Sequence, residues 1–412
     1  MVSRRTFLTS AAIGAAGSIG AGTASADELA SLTRSAKAIT GAEHAERLAK
    51  LQSLLQQNKV GATLIEAGST LEYFTGVRWW RSERTTAAIV PASGASVVVT
   101  PYFEEPSVRE TLKVAAEVRT WREDGSPFEL LASALRERAG ADGALAVEPT
   151  TRYFIVEGVA HADGGGRSVV NADPYIRACR TRKSAAELAL MQLANDVTLA
   201  ALRYVHGSIK AGMHSGDIYN LMTTATTQLG GSPEFTLVLL NEASAFPHGS
   251  ASPQSIREGS VILIDTGCSV HGYQSDISRS WVYGTPSAKV REVWSTVKRG
   301  QEIALETAKI GVPVGDIDRA VRTYYEGRGW SKDYALPGLS HRTGHGIGLD
   351  GHESPYLVRN DRTPLDAGMC FSDEPGLYIP GEFGIRLEDC WTMTDAGPKL
   401  FTPLARAIDD PI

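Results

Sequence analysis

Cysteine is scarce: four occur in 412 residues, at Cys179, Cys268, Cys370 and Cys390, and no two are set as C-x-x-C. A zinc knuckle and a thioredoxin-like redox motif both need that spacing, so both are excluded. Small buried thiols are expected instead. In an oxidising compartment a Cys370–Cys390 disulfide stays open, because sequence carries no geometry. There is no basic excess either. Lys and Arg number 41 against 47 Asp and Glu, for a net charge of -6. Without a basic stripe to release counterions from phosphates, nothing argues for nucleic acid, and none is expected as a partner. Beyond the N-terminus no apolar run is long enough to span a bilayer. What is present is an ordinary globular composition, 42% apolar and 21% charged, in a chain long enough for two domains.

The first residues read Ser3-Arg4-Arg5-Thr6-Phe7-Leu8, then a weakly apolar Ala/Gly stretch ending in Ala24-Ser25-Ala26. This is the pattern of a twin-arginine export signal over 1–26 with an A-x-A cleavage site. A mature protein starting near Asp27 is expected in the periplasm or outside the cell, with no stable membrane association once the signal is cut. Twin-arginine export carries folded proteins, which suits a chain that loads a cofactor before crossing.

From 42 to 172 a helical pattern (Glu43 to Gln57) alternates with short β-rich runs at 62–65, 87–90, 96–99 and 144–147, which argues an α/β domain. Asp173-Pro174 breaks that pattern. A long helix is expected from Ala185 to about Ile209 with Ser184 as N-cap, placing the domain boundary within 173–182 and a second domain over 182–412.

The second domain contains an echo. Lys210 to Ile218 matches Lys309 to Ile317 at an offset of 99, each copy following a long helix and opening another with an Asp in its first turn. Paired acids follow each copy: Asp265 and Asp276 are 11 apart, Glu374 and Glu388 are 14 apart, all on strand-like sequence. Two facing half-domains would bring four carboxylates to one centre. They could not all stay ionised there without counter-charge. Two divalent ions carry +4 against -4, whereas one leaves two charges uncompensated. His345 and His352, seven apart in the glycine-rich stretch HRTGHGIGLDGHESP, lie beside these acids in sequence. An oxygen-rich set with one imidazole from His345 points to Mn(II), Co(II), Fe(II) or Zn(II). Two such ions a few Å apart generate a bridging hydroxide and polarise a carbonyl, which is hydrolysis.

The set Asp265, Asp276, His345, Glu374 and Glu388 stands with Phe246-Pro247-His248-Gly249, Thr343-Gly344-His345-Gly346-Ile347-Gly348, His352-Glu353, Asp373-Glu374-Pro375-Gly376 and Ile385-Arg386-Leu387-Glu388-Asp389. It resembles the pita-bread metallopeptidases, namely prolidases, aminopeptidases P and methionine aminopeptidases, with creatinase as a relative. The resemblance covers 182 to 395 strongly and 42 to 172, including Glu72-Tyr73-Phe74-Thr75-Gly76, more loosely. It implies an α+β protein: a creatinase-like α/β N-terminal domain and a pita-bread domain with pseudo-twofold duplication. It also implies a homodimer with two divalent metals per subunit, Mn(II) first, that cleaves peptides with proline at the second position. Asp265 would chelate one metal, Asp276 and Glu388 would bridge, and His345 and Glu374 would hold the second. Glu374 would also be general base. His248 and His352 would donate hydrogen bonds around the scissile amide, with the glycines letting backbone approach the substrate. Arg386, two before Glu388 on a strand, would buttress the carboxylates.

Some residues depart from the family pattern. Gly351 stands where a branched aliphatic residue usually precedes the second histidine, which would loosen the wall beside His352. Neither Arg359 nor Arg362 aligns with the arginine that holds a dipeptide carboxylate in some prolidases, so dipeptidase and aminopeptidase action both stay open. Trp79-Trp80-Arg81-Ser82-Glu83-Arg84 falls where family dimers present a loop to a neighbouring site; a surface loop and a substrate gate are both open readings.

Other classes can be weighed on the same residues. Ile264-Asp265-Thr266-Gly267 matches an aspartic-protease signature but occurs once, and an acid dyad needs two. Gly344-x-Gly346-x-Gly348 lacks the strand-turn-helix setting of a dinucleotide fingerprint. A creatinase-like non-peptide C–N hydrolase or lyase on the same scaffold is the alternative enzyme. A non-catalytic binding module would have no need of the full ligand set.

Overall fold

The computed structural model describes residues 29–140 and 143–412, and the elements below are those of the described residues. The export segment expected over 1–26 lies outside them.

The N-terminal part starts with α1 (Gly41–Gln57), where Thr40 and Glu43 form a reciprocal capping box. There follow β1 (Val60–Glu66), α2 (Ser69–Thr75), β2 (Ala87–Pro91), β3 (Ser96–Pro101), α3 (Glu105–Thr111), β4 (Ala116–Trp121), α4 (Pro127–Ala139), β5 (Ala144–Val147), α5 (Tyr153–Ala162), β6 (Val169–Asn171) and α6 (Asp173–Arg180). The strands form one mixed sheet in the order β4-β3-β2-β1-β5-β6. Alternation divides its side chains between two cores. Leu64, Ile89, Val97 and Val99 pack with Leu131 and Leu135 of α4 and Val159 of α5. Ile65, Ala88, Val90 and Val98 face Leu51 and Leu55 of α1. Asp173-Pro174, read from sequence as a break, instead starts α6: proline in a first helical turn gives up only an N–H that has no partner there.

The second part contains α7 (Ala185–Ser208), α8 (Ser215–Gln228), β7 (Ser232–Leu240), β8 (Val261–Val270), β9 (Tyr273–Gln274), β10 (Ile277–Val282), α9 (Ala288–Thr307) and α10 (Val314–Gly327). It continues with β11 (Gly344–Gly346), β12 (Glu353–Leu357), β13 (Cys370–Asp373), β14 (Gly376–Ile379), β15 (Phe383–Arg386), β16 (Asp389–Thr394) and β17 (Gly397–Leu400). Ser184 caps α7, again with a reciprocal Glu187 bond. The echo is structural: α8 and α10 have 14 residues each and start 99 positions apart. Antiparallel β8–β10 in one half answers antiparallel β13–β16 in the other. The two Asp residues of the echo have diverged. Asp217 accepts from the His214 amide at 2.9 Å, whereas Asp316 pairs with Arg319.

The core of the N-terminal sheet continues without a break into the second part, since Leu51 and Phe74 belong to one cluster with Met191, Val197, Ile262 and Ile264. A buried polar tie reinforces it: Arg47 of α1 donates to the Tyr273 hydroxyl at 3.0 Å, which donates to Glu187 at 2.8 Å. All four cysteines are free and buried. Cys370 and Cys390 lie on adjacent strands, but the register pairs them with Thr392 and Ser372, so the disulfide left open by the sequence does not form. Among the described residues no helix is long and apolar enough to cross a membrane.

Candidate metal centre

The acids reach one point from four strand positions. Asp265 lies within β8, Asp276 immediately before β10, Glu374 immediately after β13 and Glu388 immediately before β16. Three of the four are thus at strand ends, not inside strands as the sequence pattern suggested. Ends allow a carboxylate to lean out of the sheet plane. His345, on β11, stands at the meeting point. Its Nε2 is 3.5 Å from Asp276 Oδ2, 3.5 Å from Glu374 Oε1 and 4.0 Å from Glu388 Oε1. Its Nδ1 sits 3.0 Å from the Gly346 carbonyl, a bond that puts the proton on Nδ1 and turns the Nε2 lone pair toward the acids.

Ser278 joins the two halves, lying 2.9 Å from Asp265 Oδ1 and 2.8 Å from Glu388 Oε2. Arg386 donates to Asp265 Oδ2 at 2.5 Å, to Ser278 Oγ at 2.9 Å and to the Tyr378 hydroxyl at 3.2 Å. The strand on which the sequence placed Arg386 and Glu388 is interrupted at Leu387 and Glu388, and Arg386 belongs to a hairpin, β14–β15. It therefore supports Asp265 across the centre rather than Glu388 along a strand. Burial works against the Arg386 charge, but Asp265, Tyr378 and Glu388 outweigh it and hold the guanidinium protonated.

Sequence reasoning did not single out Ser278, His341 or Tyr378. The alternation Asp276-Ser278-Ser280 offered a signal for Ser278, because i, i+2 residues share a face. For His341 and Tyr378 there was none, since a loop residue and a strand residue 37 positions apart meet only in the fold: His341 Nε2 lies 2.8 Å from the Tyr378 hydroxyl. Burial and the Arg386 charge pull His341 down to about 3.

The acids carry more charge than the protein balances. Burial, then Asp265 beside it, raises Asp276 well above the usual carboxylate range. Burial, then Asp276 and Glu374, does the same to Glu388. Burial also lifts Glu374 to about 7, against the opposing pull of His345 and Arg386. Asp276 Oδ1 and Glu388 Oε1 are buried without a hydrogen-bond partner. Three overlapping sets, Asp265-Asp276-Glu388, His345-Glu374-Glu388 and Asp276-His345-His352, each place their ligand atoms within 4.8 Å of one another. Orphaned oxygens, one imidazole lone pair and excess negative charge are a donor set that fits divalent cations.

His352 lies against His345 with ring centroids 3.9 Å apart. Arg342 Nη2 is 3.1 Å from its Nδ1, and an arginine can only donate, so the neutral ring carries its proton on Nε2. Burial, His345 and Arg342 pull it down to about 4 and keep it neutral. A protonated Nε2 donates a hydrogen bond and does not ligate. His248 is exposed at the mouth of the same cleft, on a loop whose Pro247 carbonyl accepts from Arg386 at 3.3 Å. The cleft measures about 660 Å³, and Phe235, Leu237, Tyr334 and Val358 contribute apolar lining beside the acids.

Two sequence expectations need correction. Gly351 does not loosen the wall beside His352: a Cβ there would stand 2.9 Å from Gln274 Oε1, so the Gln274 side chain already occupies that space. The glycines around His345 serve strand packing more than approach to substrate, because a Cβ on Gly344 would stand 2.2 Å from the Ser372 carbonyl. Arg359 turns away to pair with Asp333, and Arg362 is exposed; the arginine that lines the cleft beside His352 is Arg342. Trp79 and Trp80 stack at 5.9 Å and, with His352, line a second, interdomain cleft of the same chain.

Comparison with known proteins agrees with this architecture. The model of "Metallopeptidase family M24" matches residues 189–395, and that of the "Creatinase/Prolidase N-terminal domain" matches 47–182. An Xaa-Pro dipeptidase of Lactobacillus helveticus is 30% identical over 359 residues, covering 86% of this chain and 96% of its own. The crystal structure of dipeptidase PepE from Mycobacterium ulcerans superposes with a TM-score of 0.81 at 31% identity, over 89% of this chain and 97% of its own. Prolidase from Thermococcus sibiricus gives 0.80 at 27%, over 87% and 97%. Fold, acid cluster and matched models lead to one conclusion: the chain belongs to metallopeptidase family M24, the pita-bread peptidases.

Proposed function

We propose that this peptidase cleaves the Xaa-Pro bond of dipeptides or short peptides, with two divalent ions held by Asp265, Asp276, His345, Glu374 and Glu388. The observation that carries this reading is the convergence of Asp276, Glu374 and Glu388 on His345 Nε2, with Asp265 joined to Asp276 and Glu388 in an overlapping set and Asp276 Oδ1 and Glu388 Oε1 left without partners. Four carboxylates against the Arg386 guanidinium leave a net charge of about -3, which a single divalent ion cannot balance. Asp276 and Glu388, which meet Asp265 in one set and His345 and Glu374 in the others, would be shared between the ions; Asp265 would complete one site, and His345 with Glu374 the other. Mn(II) is the ion we expect, with Co(II), Zn(II) and Fe(II) also fitting an oxygen-rich set. When bound, the ions supply an activated water at neutral pH and polarise the scissile carbonyl.

The chain's own groups do the rest. Arg386 fixes Asp265 and keeps it oriented toward the centre. Glu374 is the general base that takes the proton of the attacking water and delivers it to the leaving nitrogen. The Nε2–H of His352 donates to the oxygen on which charge develops, and His248 closes the mouth around the amide. The apolar lining from Phe235, Leu237, Tyr334 and Val358 suits a proline ring, which has no amide N–H to satisfy. Proline preference is further supported by the Lactobacillus helveticus relative, an Xaa-Pro dipeptidase.

The test is hydrolysis of Ala-Pro, Ala-Pro-Ala and Ala-Ala by metal-stripped protein after adding back Mn(II), Co(II) or Zn(II). Cleavage of the prolyl substrates alone supports the reading, and the dipeptide-to-tripeptide ratio distinguishes prolidase from aminopeptidase P. Cleavage of none turns attention to a non-peptide C–N bond. We also propose twin-arginine export, resting on Arg4-Arg5 and Ala24-Ser25-Ala26, and a homodimer; fractionation of an Arg4→Lys/Arg5→Lys variant and light scattering check each.

A further inference from the structure

Arg180 ends α6, remote in sequence from every residue of the metal centre, and its guanidinium joins two parts of the molecule. On one side Nη1 donates to Ser69 Oγ at 3.1 Å and Thr70 Oγ1 at 2.8 Å, in the first turn of α2. On the other, Nη2 donates to Asp350 Oδ2 and Glu353 Oε2, both at 2.9 Å. Ser69 adds a bond of 2.7 Å to the same Asp350 oxygen, and Lys183 pairs with the other oxygen of Glu353. Asp350 and Glu353 bracket His352.

We propose that Arg180 is a positioning residue for His352: it clamps the segment 350–353 against the N-terminal domain and so sets where the His352 imidazole stands relative to the metal centre. The charges close on themselves, two cations against two carboxylates, so the cluster holds the segment without any ligand. Only 10% of the Arg180 side chain is exposed, and charge-assisted bonds are strongest where water is excluded. Four partners on two nitrogens need a planar fork; a lysine ammonium cannot reach both sides at once. The cluster also lines an interdomain cleft of about 1330 Å³, and this cleft shares Gln274 and His352 with the metal-site cleft. Docking of the N-terminal domain is thereby tied to the geometry of the centre.

This inference rests on the proposed donor role of His352, and a double-mutant cycle separates the two. Arg180→Met, His352→Ala and the double variant are compared in the full-length, Mn(II)-loaded protein for kcat, KM and bound metal on a prolyl substrate. Arg180→Met should lower kcat about tenfold to a hundredfold, the scale of a ~1 Å misplacement, with KM and metal content nearly unchanged. In the His352→Ala background the same change should alter kcat less than about threefold. Equal losses in both backgrounds, or no loss in either, overturn the inference. Full activity of His352→Ala alone overturns instead the reading of His352. Should Arg180→Met fail to fold, Asp350→Asn, at a half-exposed position, enters the same cycle with the same expected pattern.

Discussion

Each residue at the centre has a consequence that can be separated from its neighbours'. Asp276 has an orphaned oxygen and belongs to two ligand sets, so Asp276→Asn should lose metal and activity together, read by metal analysis and peptide hydrolysis on one preparation. His352 has its Nε2 proton fixed by Arg342, so His352→Ala should keep metal and lose about 10²–10³ in kcat, the usual cost of an oxyanion donor. If that variant also loses its metal, the split between ligand and donor is wrong. The meeting of Asp265, Asp276, Glu374 and Glu388 was legible in the sequence because acids paired on strand-like segments, after each of two copies of one motif, point to a shared centre, and His345 was legible through the family resemblance. Ser278, His341 and Tyr378 were not, because their roles arise from contacts across 110 and 37 residues that no local pattern records.

Among the elements, α10 carries the segment that presents His345. Asp318, fully buried on α10, accepts from the Thr343 amide at 3.2 Å and its hydroxyl at 2.7 Å, and from Arg322 at 2.9 Å. Arg322 in turn donates to the carbonyls of Leu339 and His341. Asp318→Ala removes one side of a buried pair and should cost about 3–5 kcal/mol in denaturant unfolding. A loss below about 1 kcal/mol would show that β11 is held by its strand partners alone. The helical pattern of Glu43 to Gln57 and Ser184 as N-cap made α1 and α7 readable in advance. The hairpin β14–β15 was not, because Phe383 to Trp391 has the composition of one strand, and only the sheet shows that Leu387 divides it.

The whole molecule couples this charge to its stability. Asp276, Glu374 and Glu388 sit above the ordinary carboxylate range, so in the metal-free fold they keep protons that the unfolded chain releases, while His341, His345 and His352, held low, do the reverse below the ordinary histidine range. Stability from such groups is present at low pH and is lost as pH rises through the folded value, about 7 for Glu374. Above about pH 6.5, where the histidines are neutral in both states, chelator-stripped protein should therefore melt lower as pH rises to about 7.5, while metal-loaded protein, whose acids are balanced by cations, should not. Parallel melting curves would contradict the charge argument. The two-part architecture was legible from composition and alternation. The continuous core and the Arg47–Tyr273–Glu187 tie, which make the two parts one body, were not, because they join residues far apart in sequence.

The most direct measurement is activity on Ala-Pro as Mn(II) is titrated into stripped protein, with bound metal counted at each point. The two-ion account predicts no hydrolysis without metal and a plateau at two ions per chain. Undiminished hydrolysis by the stripped protein, or a plateau at a single ion, would contradict it.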